Sequence, residues 1–203
     1  MTGPQDFRRI WGDHVPGLIN SPTRYAVLCP LVQQPDGLHI LLEVRAASVK
    51  QAGEVCFPGG RAEHGETAVD CALRETFEEL AIPPQQVEIL GKTDFVCQPG
   101  KFLLQPVIGL VSPEGLAAMI PSPAEVAEVF SVPLAFLRST PPEIYINHLK
   151  ATLPADFPYE ASGIPRDYRW SNAVAEVPIW HYEGHVIWGM TARILLDMVR
   201  RLA

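Results

Sequence analysis

Phe57 to Ile82 reads FPGGRAEHGETAVDCALRETFEELAI: an apolar lead-in, a Gly-Gly bend, a polar excursion and a run with helical periodicity. Thr67, with Asp70 three residues on, predicts an N-cap pair, and Pro83-Pro84 stops the helix. At about 100° per residue, Glu75, Glu78 and Glu79 fall in one narrow sector, while Val69, Leu73, Phe77 and Leu80 gather opposite. The pattern predicts one face for a core and the other for something cationic. Gly59 and Gly60, just before the excursion, let backbone amides come close to a ligand.

Three acids on a helix are by themselves more often a solvated face. Here the spacing of Gly60, Glu66, Arg74-Glu75 and Glu78-Glu79 resembles the Nudix box, the signature of a family of diphosphate hydrolases, over residues 60–82. Two positions depart from it, Thr76 for the usual aliphatic and Ala81 for the usual glycine. The resemblance implies an α+β fold, an α/β/α sandwich with a mixed β-sheet. It also implies that Glu75, Glu78 and Glu79 hold metal, that Gly59 and Gly60 border the diphosphate, and that Arg74 supports the catalytic group by pairing with Glu66. Ligands that are all oxygen favour hard cations, Mg²⁺ or Mn²⁺. A box glutamate, or Glu125 from its place before the Val126–Phe130 run, is the expected acceptor of the water's proton, with Glu128 as a substitute; His64 reads as a solvent-facing loop residue.

Upstream, LLEVRAASVKQAGEVCFPGG, Leu41 to Gly60, is similar to the segment before the box in coenzyme A diphosphatases of the same family. The tail IWGMTARIL, Ile187 to Leu195, also resembles theirs. This implies cleavage of CoA or an acyl-CoA, with Arg45 and Lys50 as candidate substrate contacts. Only Lys50 stands where basic residues cluster in that subfamily, so ADP-ribose or NADH stay open as substrates. So does a catalytically silent nucleotide-binding module.

The rest of the 203-residue chain suits one domain, 1–203, with an N-terminal extension, 1–22. A net charge of −7 argues against nucleic acid or an anionic membrane as partner. No stretch has the length of a membrane span, and the N-terminus lacks a signal-peptide pattern, so a cytoplasmic enzyme is expected. Cys29, Cys56, Cys71 and Cys97 lack CxxC spacing and read as buried reduced thiols. Phe7, Ile10 and Trp11 predict a short helix, ended by Pro16-Gly17, that either packs on the body or mediates a homodimer. Tyr25–Val32 and Leu38–Val44 predict a hairpin; Val87–Val96, Phe102–Val111 and Ile144–Leu149 predict strands. A turn at Gln98-Pro99-Gly100 separates the first two of these. Pro154–Tyr168 reads as a loop bordering the pocket. A hairpin turning at Glu183-Gly184 and a helix over Thr191–Leu202 follow, the helix burying Ile194, Leu195, Met198 and Leu202.

Overall fold

The structure, a computed structural model, describes residues 4–14, 18, 23–98 and 100–202. Its first half holds α1 (Pro4–Trp11), β1 (Thr23–Gln34), β2 (Gly37–Arg45), β3 (Val55–Cys56), β4 (Gly59–Arg61) and α2 (Ala68–Leu80). A 3₁₀ turn (Pro84–Gln86) leads to β5 (Val87–Lys92), β6 (Val96–Gln98), β7 (Phe102–Val111) and α3 (Pro113–Ala117). Then come β8 (Val126–Pro133), α4 (Leu134–Ser139), β9 (Glu143–Leu149), α5 (Tyr159–Ser162), β10 (Ala173–Tyr182), β11 (His185–Ile187) and α6 (Gly189–Arg201).

The main sheet runs β3-β2-β1-β7-β5, with β8 also on β2, β4 on β1 and β6 on β7. β1 and β2 are the predicted hairpin, Leu31 across from Ile40. β1 lies parallel to β7, whereas β5 is antiparallel to it, so the sheet is mixed. Period-two alternation along β1 divides the core. Ala26, Leu28 and Val32 pack with Cys71, Ala72 and Leu80 of α2. Cys29 and Leu31 pack on the other face with Leu137 of α4 and Ile194, Leu195 and Met198 of α6. Helices therefore cover both faces of a mixed sheet, the expected α/β/α arrangement.

Several local expectations need correction. α2 is rolled relative to its predicted faces: the buried residues are Cys71, Ala72, Thr76, Glu79 and Leu80, while Phe77 is half exposed. Its buried arc overlaps the acidic sector, because the helix packs on β1 and on β4, which carries the Gly-Gly bend. The predicted Val87–Val96 strand is interrupted at Thr93–Phe95 and resumes as β6. Phe7 and Ile10 of α1 are exposed, so those two side chains do not cap the core. Leu202 is also half exposed, lying past the last turn of α6. All four cysteines are free, but Cys97 is exposed and Cys56 only partly buried. The 154–168 stretch includes the single turn α5; its Phe157 packs on Tyr159, and its Tyr168 packs on Trp170 just beyond it. Pro16, Gly17 and Pro99, on which two predicted breaks rest, lie outside the described residues.

Candidate active site

The cap of α2 forms as its sequence requires: the Thr67 hydroxyl accepts from the Asp70 N–H at 3.2 Å and donates to the Asp70 carboxylate at 2.6 Å. One turn on, Arg74 organises the polar excursion. Its Nε and Nη2 grip both oxygens of Glu66 at 2.9 and 3.1 Å, and Nη2 also donates to the Arg61 carbonyl. This fork holds the Glu66 carboxyl down at about 2. Nη1 reaches Glu78 at 3.1 Å and Nη2 reaches Glu75 at 3.0 Å.

Glu79, only 4% exposed, points inward. The Gly59 N–H donates to its Oε2 at 2.7 Å. Gly59 takes φ 150°, and a Cβ there would run into the Ala26 carbonyl and the Val27 backbone. A Cβ on Gly60 would fall inside the Glu75 carboxylate. The two glycines therefore let β4 sit between β1 and the acids of α2. Burial first, then the charge of Glu43, pushes the Glu79 carboxyl up to about 9; Glu75 and Glu125 add to the rise and the Gly59 N–H opposes it. Burial likewise raises Glu75, against the pull of Arg74.

Glu43 is the functional candidate that sequence reading passed over. It shares a face of β2 with Leu41, which packs in the α2 cluster, so alternation aims it at the acidic edge of the helix. It is 1% exposed. Its Oε1 accepts from the Cys56 thiol at 3.3 Å, and among the described residues its buried Oε2 has no partner. Burial pushes its carboxyl up to about 7. The available signal was a single acid inside the apolar run Leu38–Val44.

The remaining candidates divide. Glu125 is exposed and anchored by its backbone carbonyl, which accepts from the Ala46 N–H at 2.8 Å; its charge acts on Glu43, Glu75 and Glu79. Glu128 instead meets His185 at 3.2 Å. Glu78 is turned outward to Arg74. Arg45 Nε donates to the Lys50 carbonyl at 2.9 Å, shaping the loop between β2 and β3, while Lys50 itself is exposed. His64 is exposed.

The charges of Glu43, Glu75 and Glu125 thus raise the proton affinity of Glu79, that of Glu125 also raises Glu43 and Glu75, and among the described residues one buried Glu43 oxygen lacks any donor. Among the described residues no three His, Cys, Asp or Glu side chains already close around a cation. An all-carboxylate donor set with an orphaned buried oxygen nonetheless fits a hard divalent cation, whose charge would relieve the mutual repulsion.

A model of the NUDIX domain matches residues 22–150. The protein of Photorhabdus laumondii named "Uncharacterized Nudix hydrolase NudL" is 32% identical over 178 residues, 87% of this chain and 83% of its own length. Its namesake in Salmonella paratyphi B is 35% identical over 179 residues, 87% of this chain and 81% of its own. A MutT/nudix family protein from Enterococcus faecalis shares the fold, with a TM-score of 0.55 and 14% identity over 99% of this chain and 70% of that one. The chain belongs to the Nudix hydrolase family, whose members use divalent metal ions and act on small nucleoside diphosphate substrates.

Proposed function

We propose that the protein cleaves the diphosphate bridge of coenzyme A or an acyl-CoA, giving 3′,5′-ADP and a 4′-phosphopantetheine. One observation carries the reading. The Leu41–Gly60 segment, which resembles coenzyme A diphosphatases, forms a wall of the acidic site: Glu43 on β2, Cys56 on β3 and Gly59 on β4 meet each other or Glu79. The tail resemblance supports it too, since the Thr191 hydroxyl of α6 donates to the Val55 carbonyl at 3.0 Å. The shared core of β1 and α6 supports treating residues 1–203 as one catalytic unit.

Glu75, Glu78 and Glu79 are the residues that would hold Mg²⁺ or Mn²⁺, Glu78 by giving up its pairing with Arg74, and the orphaned oxygen of Glu43 would be a further donor. When bound, such a cation neutralises diphosphate oxygens and makes a coordinated water more acidic. The chain's own residues supply the rest. Gly59 orients Glu79 through its N–H, and Arg74 fixes Glu66, Glu75 and Glu78 relative to one another. Glu125, on the exposed rim, is the proposed acceptor of the water's proton. Arg45 and Lys50 are the proposed phosphate contacts. Four free thiols suit a reducing compartment, and the cytoplasm is the proposed one.

A second reading has its own support. Arg45 is already engaged by the Lys50 carbonyl, leaving little basic surface for the 3′-phosphate of CoA, which favours ADP-ribose or NADH. Comparing kcat/KM for CoA, ADP-ribose, NADH and an oxidised nucleotide with Mg²⁺ present separates them. A clear preference for CoA is expected; a strong preference for any other substrate defeats the assignment. Absence of turnover on all of them favours a binding module.

A further inference from the structure

β9 and β10 form an arm whose outer strand is uncovered among the described residues. All seven residues of β9 are exposed, Ile144, Tyr145, Ile146 and Leu149 among them, and Val174 on β10 is 66% exposed. In the order β11-β10-β9 it is an edge strand. Side chains alternate, so Ile144 and Ile146 occupy one face while Tyr145 and Leu149 occupy the other. Neither face reads as solvated. A two-stranded ribbon is marginal by itself, and an apolar edge is a template for pairing.

The register shows which backbone groups are on offer. Ile144 stands across from Pro178, which has no N–H, so that pair is a non-hydrogen-bonded one. Antiparallel alternation then directs Glu143, Tyr145 and Asn147 toward β10 and turns the N–H and C=O of Ile144, Ile146 and His148 outward. This edge is complementary to itself. In an antiparallel pair related by a two-fold axis normal to the sheet, opposed residues share a face. Centring the axis on Ile146 sets Ile146 against its own counterpart and Ile144 against His148, so each outward group finds a partner. The charges agree: Glu143 is at one end of the strand and His148 and Lys150 at the other, so antiparallel pairing brings acid beside base.

We infer that β9 pairs with β9 of a second copy, joining two arms into a four-stranded ribbon and the chain into a two-fold dimer. The inference is independent of substrate and metal. Sedimentation equilibrium of the full chain is expected to give twice 22.4 kDa. Ile146→Lys, which sets two like charges together on the axis, is expected to halve that mass while the circular dichroism spectrum persists. In a Cys97→Ser background, Ile146→Cys is expected to form a covalent dimer on mild oxidation, because hydrogen-bonded antiparallel partners stand about 5.5 Å apart at Cα, within disulfide range. A parent chain sedimenting at 22.4 kDa overturns the inference and leaves the edge to a different partner. A dimer that survives Ile146→Lys, or one that Ile146→Cys cannot cross-link, overturns it as well.

Discussion

Glu79 and Glu43 are both buried carboxylates, yet they differ in what satisfies them. Glu79 has the Gly59 N–H; among the described residues Glu43 has a thiol on one oxygen and no partner on the other. Replacing Glu79 with Gln keeps the shape and the acceptor for Gly59 but removes the charge a cation needs. Turnover is therefore expected to fall by orders of magnitude with an unchanged circular dichroism spectrum; full activity would take Glu79 out of the mechanism. Glu43→Gln keeps an acceptor for Cys56 and removes a buried charge. Metal-free Glu43→Gln should melt higher than the parent near pH 8, by about 3 kcal/mol of stability, and equally near pH 4, where Glu43 is already protonated. Its gain in Tm on adding Mn²⁺ should shrink. An undiminished gain would show that Glu43 has no part in holding the cation.

At the level of elements, the box helix and the strand beside it each contain a position whose side chain the backbone opposes. Ala81 ends α2 in the left-handed region, φ 56° and ψ 21°, its N–H donating to the Phe77 carbonyl at 2.9 Å. The helix thus stops as a glycine would stop it, at the strain cost of a Cβ. Ala81→Gly should raise stability by about 1 kcal/mol in urea titration, since the left-handed penalty outweighs the added backbone entropy. Gly59 and Gly60 make the opposite comparison. A methyl on Gly59 meets backbone that cannot yield, so Gly59→Ala is expected to lose several kcal/mol or fail to fold, roughly 3 kcal/mol at least. A methyl on Gly60 meets a carboxylate that can swing away, so Gly60→Ala should stay folded while kcat drops about tenfold or more from a displaced Glu75. Equal stability losses in the two variants would refute this division.

For the molecule as a whole, the buried acids set the direction of its pH response. Folded Glu43 and Glu79 hold protons up to about 7 and about 9, whereas unfolded glutamates release them near 4.5. The native state binds more protons across that window, so metal-free stability falls as pH rises through it. A cation replaces those protons, and the Tm difference between Mg²⁺ and EDTA should widen from about pH 5 to about pH 9. A difference that is flat or narrows with pH contradicts a cation bound among these carboxylates. Much of this was legible beforehand. The cap at Thr67, the β1–β2 hairpin and the C-terminal helix follow from local spacing, because capping, turn geometry and helical periodicity are settled within a few residues; the Arg74–Glu66 fork, eight residues apart, was legible only through the family resemblance. The roll of α2, the aim of Glu43, the outward turn of Glu78 and the bare edge of β9 were not, because each depends on which surface a distant strand presents. Sequence alone therefore determined the kinds of element and the acidic helix that marks the family. Only tertiary packing decided which acids are buried together, since burial and charge interaction arise from contacts between segments far apart along the chain.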